Sequence, residues 1–181
     1  MPITIQPKDC PNNFALTRHR QDQKIFNTQS RIASTEAKTL KWLSAASKEI
    51  LEGAKKAMDE LDMDRVEKFI QMILDSKERK IFVVGVGRSG FVGRAFALRL
   101  MNLGFNVYFL GETITPAAGK EDLVIAISGS GTTTLALTAS SAAKEIGAKV
   151  AAVTSYPESP LGEVADLIVP IGGRTKLGWP K

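Results

Sequence analysis

Two segments rich in glycine and hydroxyl side chains are the parts of this chain best suited to binding an anion. Residues 85–90, called loop 1, read Gly-Val-Gly-Arg-Ser-Gly, and residues 128–133, called loop 2, read Ser-Gly-Ser-Gly-Thr-Thr. Glycine lets a ligand approach the backbone closely, and the free N–H groups at the start of a helix attract negative charge. The hydroxyls of loop 2 add the short donors that a phosphate monoester needs. We therefore expect both loops to contact a phosphorylated small molecule.

Loop 1 also fits a competing interpretation. Its spacing matches the dinucleotide-binding pattern G-x-G-x-x-G, and Glu112 lies 22 residues after Gly90, where an acid could bind a ribose. Loop 2 favours the phosphate monoester because it lacks the lysine of the triphosphate-binding motif and has more hydroxyls than one helix cap requires. A nucleotide-binding oxidoreductase fragment is therefore the less favoured alternative.

Five short apolar segments, separated by helical patterns, position these loops. They predict strands at Ile81–Val84, Val107–Leu110, Leu123–Ile127, Val150–Val153 and Leu167–Ile171. Strands this apolar are usually buried on both faces, which indicates a parallel sheet covered by helices in a three-layer α-β-α fold. In such a sheet the ligand binds at the carboxyl ends of the strands, where the strand order reverses, so loops 1 and 2 should flank one site.

Helices are predicted before and between the strands. An apolar stripe begins at Leu40, and Asp64 is placed to cap a second helix, with Glu67 three residues on. A later helix should run from about residue 132 to residue 146. The helix after loop 1 should face the sheet with Val92, Phe96, Leu100 and Leu103.

Charge and composition narrow the function classes. The net charge is +5, but residues 1–40 hold six basic and three acidic side chains, and residues 171–181 hold three basic and none acidic, so the segment between them is nearly neutral. This distribution argues against nucleic acid as a partner. The apolar runs are too short for a membrane span, and Cys10 and His19 alone form no metal cluster. We expect a cytoplasmic protein that needs no metal or cofactor.

Three runs of residues resemble the SIS (sugar isomerase) domain family, and within it the 6-phospho-3-hexuloisomerases. They are Val84–Gly90, the triplet at 111–113, and Ser128–Gly131. The resemblance implies a flavodoxin-like sheet of five parallel strands, a homotetramer and no cofactor. It also implies interconversion of 3-hexulose 6-phosphate and fructose 6-phosphate through an enediol, a step of the ribulose monophosphate pathway.

The resemblance also implies roles for the loop residues. Ser128, Ser130 and Thr133 should hold the phosphate with help from Thr132, and Arg88 and Ser89 should contact the sugar. Gly87 should let the ligand approach, and the pocket lining should include Gly85, Glu112, Thr113, Gly129 and Gly131. Arg88 is the best candidate to stabilise an oxyanion, and Glu112 is a hypothetical substitute base.

The chain departs from the family pattern near both ends. The family takes its base from a glutamate in a helix beyond strand five, and a histidine from the C-terminal region, whereas this chain stops at Lys181. We expect residues 1–40 to be a polar, partly disordered leader, residues 41–176 a shortened SIS domain, and residues 177–181 a tail. A sugar-phosphate-binding module without catalysis is the leading alternative.

Overall fold

The computed structural model describes residues 39–172. The predictions for the leader, including Cys10 and His19, and for the tail lie outside the described residues. Two compact units divide the chain, Met1–Glu52 and Gly53–Lys181, and the boundary falls within helix α1, residues 39–59. The described part of the first unit is the exposed helical stretch 39–52.

The second unit contains a five-stranded sheet with intervening helices. After α1 the elements follow in the order α2 (Met63–Asp75), β1 (Lys80–Gly85), α3 (Arg88–Asn102), β2 (Asn106–Phe109), β3 (Leu123–Ile127), α4 (Thr134–Glu145), β4 (Lys149–Thr154), α5 (Pro160–Val164) and β5 (Leu167–Pro170). All strand pairs are parallel, and the strand order is β2-β1-β3-β4-β5. The predicted flavodoxin-like, three-layer fold is therefore confirmed.

Each face of the sheet carries its own core. Helices α2 and α3 cover one face, where Ile73, Ala97 and Leu100 pack against inward residues of the strands. Helices α4 and α5 cover the other face with Ala136 and Leu161, among others. The central strands are buried on both sides, as their continuous apolar sequence predicts.

The face that α3 turns to the sheet differs from the predicted one. Its buried residues are Gly90, Gly93, Ala97 and Leu100, whereas Val92 and Leu103 are exposed. A Cβ added at Gly93 would lie 3.0 Å from the ring of Phe109, so only small residues allow the helix to pack this closely. Of the four residues predicted to face the sheet, Leu100 is therefore buried and Phe96 half-buried, whereas the other two are exposed.

The starts of two helices also differ from what the sequence predicts. Helix α2 is capped by Asp62, whose side chain accepts from the N–H of Arg65 at 3.1 Å, so the predicted cap Asp64 lies in the first turn instead. Helix α5 was not predicted, and it begins after Ser159, which caps it by accepting from the N–H of Gly162.

Two carboxylates at the amino-terminal edge of the sheet serve the fold. Asp122 is buried and accepts from the N–H groups of Lys80 and Gly119 at 3.0 and 2.7 Å. Asp166 accepts from the N–H of Val150 at 2.8 Å and pairs with Lys144. Both acids lie at the end of the sheet opposite loops 1 and 2, so they are not available to chemistry there.

Candidate functional site

Loops 1 and 2 leave the sheet side by side. Gly85, at the end of β1, is the register partner of Ile127, at the end of β3. The chain continues from β1 into α3 on one face and from β3 into α4 on the other face. This is the point at which the strand order reverses, and ligands of doubly wound sheets bind there. The structure thus brings together the two loops that the sequence singled out.

The glycines of loop 1 allow a turn that a side chain would prevent. A Cβ added at Gly85 would lie 2.9 Å from the carbonyl of Ser89, and one at Gly90 would lie 2.8 Å from the carbonyl of Gly85. Gly87 has a φ of 59° and a ψ of −128°, which side chains strongly disfavour, and no atom would lie within 4 Å of its added Cβ. The backbone at Gly87 is therefore open to a ligand.

Hydroxyl groups in loop 2 are connected in two pairs. The hydroxyls of Ser128 and Thr133 lie 2.8 Å apart, and those of Ser130 and Thr132 lie 3.0 Å apart. Ser128 is buried and also accepts from the N–H of Gly131 at 3.1 Å, whereas Ser130 and Thr133 are half-buried and Thr132 is exposed. Each of the four hydroxyls thus has a partner within the loop, and that of Ser130 also accepts from the N–H of Thr132 at 3.3 Å. Ser128 differs from the other three by its burial.

The helix starts at this edge favour an anion. The N-cap residue of α3 is Gly87 and that of α4 is Thr133. Neither makes a side-chain hydrogen bond to its helix, and no acid follows in either first turn. Helices α2 and α5 differ, because Asp62 and Ser159 cap them and an acid follows in each first turn. The unpaired N–H groups of α3 and α4 therefore remain available, with the positive ends of two helix dipoles directed at one place.

Glu112 lies beyond β2, at the same edge, and is already engaged. It accepts from Nε of Arg94 at 3.0 Å, and both side chains are about half exposed. The guanidinium of Arg94 in turn lies 4.1 Å above the ring of Phe109. Thr113 beside it is exposed, as is Arg88 on loop 1. The bond to Arg94 engages Oε1 and orients the carboxylate, and its other oxygen, Oε2, makes no hydrogen bond within the described part of the chain.

The segment after β4 is a part of the site that sequence reasoning missed. Thr154 and Ser159 are buried polar residues, and both lie next to Gly131 of loop 2. The sequence carries one signal for this segment: Ser159 followed by Pro160 is a typical helix start. The sequence has no comparable signal for the pairing of Arg94 with Glu112.

Within residues 39–172 no three His, Cys, Asp or Glu side chains are grouped as metal ligands. None of the helices in this range combines the length and the apolar character that crossing a membrane requires.

Comparisons with known proteins agree with this geometry. A family model described as the SIS domain matches residues 74–175. A protein of Aeropyrum pernix without an assigned function is 51% identical over 122 residues, which cover 66% of this chain and 58% of that protein. A 3-hexulose-6-phosphate isomerase of Methanocaldococcus jannaschii is 50% identical over 95 residues, or 52% of each chain.

A solved structure from Methanococcus jannaschii is also similar. It is 44% identical with a TM-score of 0.57, covers 64% of each chain, and is described as a hypothetical protein whose structure infers a function of 3-hexulose-6-phosphate isomerase. This chain therefore spans about half to two-thirds of the length of these relatives.

Proposed function

This chain belongs to the SIS domain family, and from that premise we propose that it binds a sugar phosphate between loops 1 and 2 and isomerises it. The substrate pair is 3-hexulose 6-phosphate and fructose 6-phosphate. The observation that carries the proposal is the pairing of Gly85 with Ile127, which sets two uncapped, acid-free helix starts beside one another. The relatives named for this isomerase activity support the choice of substrate.

The phosphate is proposed to lie on loop 2 at the start of α4. The hydroxyls of Ser130, Thr132 and Thr133 and the first N–H groups of the helix supply donors, and the helix dipole favours the negative charge. Ser128, which the resemblance also assigns to the phosphate, is buried and accepts from the N–H of Gly131, so we propose that it holds the other donors in place. The open backbone at Gly87 leaves room for the rest of the ligand.

The sugar end is proposed to lie toward loop 1. Isomerisation removes the proton from the carbon next to the carbonyl, passes through an enediol and returns a proton to the neighbouring carbon, which requires a base and a group that stabilises the oxyanion. Arg88 is exposed at the start of α3 and is proposed for the oxyanion, with Ser89 as a contact to the sugar. Glu112 is proposed as the base, and its bond to Arg94 holds its carboxylate at this edge.

A second candidate function is sugar-phosphate binding without turnover. The observation that favours it is the ion pair of Glu112 with Arg94, because a carboxylate bound to a guanidinium is less free to reach a substrate. Among the described residues, the other acids that follow β4 at this edge are Glu158 and Glu163. Loop 2 and the start of α4 would bind the phosphate in either case.

We further propose that the protein acts in the cytoplasm as a homo-oligomer, specifically a homotetramer. It is proposed to act without a cofactor and to bind neither nucleic acid nor membrane. Exposed apolar side chains on the outer faces of α2 and α3 support the assembly. These are Met63, Ile70, Leu74, Phe91, Val92, Leu98 and Met101. Seven such side chains, at on the order of 100 Å² each, approach the roughly 800 Å² per partner of a standard interface.

Proton exchange with solvent tests catalysis without a coupling enzyme. In D₂O, an enzyme that forms the enediol replaces the proton on C3 of fructose 6-phosphate with deuterium, and the C3 proton signal disappears from the NMR spectrum. We expect this loss with the wild-type chain and none with fructose, which lacks the phosphate. Tight binding of fructose 6-phosphate without any exchange would refute the isomerase and leave the binding module.

A further inference from the structure

The segment that follows β4 holds loop 2 by its carbonyl groups. The N–H of Ser155 donates to the carbonyl of Gly129 at 3.1 Å, and the N–H of Leu161 donates to the carbonyl of Gly131 at 3.1 Å. The hydroxyl of Thr154 reaches the carbonyl of Gly129 at 3.5 Å. We call residues 154–161 the brace, because they donate hydrogen bonds to two carbonyls of loop 2, those of Gly129 and Gly131.

This arrangement fixes the direction of the N–H groups in loop 2. In a trans peptide the C=O and the N–H of the next residue point in opposite directions, and the described chain has no cis peptide. Since the carbonyls of Gly129 and Gly131 point to the brace, the N–H groups of Ser130 and Thr132 point away from it, and that of Thr132 donates to the hydroxyl of Ser130 at 3.3 Å. An anion site needs its N–H groups turned toward the ligand and its carbonyls turned away. The brace therefore determines that backbone N–H groups of loop 2, and not its carbonyls, are directed toward the proposed ligand.

Two buried hydroxyls keep the brace itself in place. Thr154 is fully buried, and its hydroxyl accepts from the N–H of Tyr156 at 3.2 Å as well as reaching Gly129. Ser159 is 6% exposed and caps α5, the helix that supplies the N–H of Leu161. Ser159 also packs directly against Gly131, so loop 2 has no room to shift toward the brace.

We propose that Thr154 is a positioning residue for phosphate recognition, which acts by holding the carbonyl of Gly129 away from the ligand. The inference rests on the proposed function, since it takes loop 2 to be the phosphate site. Thr154 does not contact the ligand. Together with the N–H of Ser155, its hydroxyl orients the peptide whose N–H, on Ser130, is proposed to face the anion.

Isothermal titration of the full chain with inorganic phosphate and with fructose 6-phosphate tests the inference. Thr154→Val keeps the shape of the side chain and removes the hydroxyl, and Thr154→Ser keeps the hydroxyl. Ser140→Ala is the matched control, because Ser140 is a buried serine on α4 outside the site. We expect Thr154→Val to weaken both ligands about two- to fivefold, less than the full effect of one hydrogen bond, because the contact is 3.5 Å long and the N–H of Ser155 still holds the same carbonyl. Thr154→Ser and Ser140→Ala should bind as the wild type does.

The outcomes separate this inference from the proposed function. If Thr154→Val unfolds at a lower temperature but binds both ligands with the wild-type Kd, the role of the hydroxyl is only structural and the inference is wrong. If the wild-type chain binds neither ligand, the proposed function falls and the inference falls with it. Should Thr154→Val fail to fold, Thr154→Ala, which removes the same hydroxyl without placing a methyl group against the polar backbone, carries the same expectation.

Discussion

Adding one methyl group at Gly131 should destabilise the domain by several kcal/mol. Gly131 has a φ of 65°, and a side chain in this left-handed region costs about 1–2 kcal/mol. The added Cβ would also lie 1.8 Å from Oγ and 2.3 Å from Cβ of Ser159, which is buried and cannot move freely. Overpacking of this kind costs about 1–3 kcal/mol. Gly131→Ala should therefore lower the free energy of unfolding by roughly 2–5 kcal/mol.

Urea denaturation at one fixed protein concentration measures this change, since assembly would make the result concentration-dependent. Gly104→Ala is the matched control. Gly104 directly follows the C-cap of α3 and has a φ of 82°, and the nearest atom to its added Cβ is Nζ at the end of the exposed Lys77 side chain, so this variant carries the backbone strain without a collision against a buried group. We expect Gly104→Ala to cost about 1–2 kcal/mol, clearly less than Gly131→Ala.

A double-mutant cycle isolates the collision. Ser159→Gly removes the side chain that the new methyl group would meet, so the double variant should recover about 1–3 kcal/mol relative to the sum of the two single variants. The reasoning is refuted if Gly131→Ala costs no more than Gly104→Ala, or if the two substitutions at 131 and 159 are additive.

Three further predictions concern the core, the assembly and the base. Ser140 is fully buried, and its hydroxyl has no hydrogen-bond partner among the described residues. Ser140→Ala should therefore raise the free energy of unfolding by about 1 kcal/mol. A lower free energy of unfolding in urea would contradict this. Leu98→Glu, on the exposed apolar face of α3, should shift the mass measured by light scattering toward the monomer, whereas Leu135→Glu, equally exposed on α4, should leave the mass unchanged. Identical masses for both variants would remove α3 from the interface. Glu112→Gln should slow deuterium exchange at C3 of fructose 6-phosphate by about 100-fold or more without weakening binding. The control, Glu158→Gln, should exchange as the wild type does. Unchanged exchange in Glu112→Gln would mean that another group is the base.

The strands could be predicted because their information is local. Leu123–Ile127 was predicted residue for residue, and the other four strands within two residues at either end, since a short apolar run in a parallel sheet is buried whatever surrounds it. The inner face of α3 could not be predicted in the same way. This helix has apolar residues on several sides, and the close approach of Gly93 to Phe109, 16 positions away in the sequence, selects the face that packs.

In the candidate site too, the features set by local sequence could be predicted and those set by long-range contacts could not. Loops 1 and 2 were recognisable because glycines and hydroxyls at a strand-to-helix turn have a local physical meaning. The partners that orient them were not recognisable. Thr154 contacts Gly129 across 25 positions, and Arg94 reaches Glu112 across 18, and such pairs exist only once neighbouring strands have aligned.

The most direct test of the central claim, that loops 1 and 2 form one sugar-phosphate site, is an NMR titration of the amide signals with fructose 6-phosphate. We predict that the shifts concentrate in residues 85–90 and in residues 128–136, which include the first turn of α4. Both groups should report the same Kd, and NAD at equal concentration should leave them unchanged. Shifts confined to one loop, spread elsewhere on the domain, or produced by NAD instead would contradict the account.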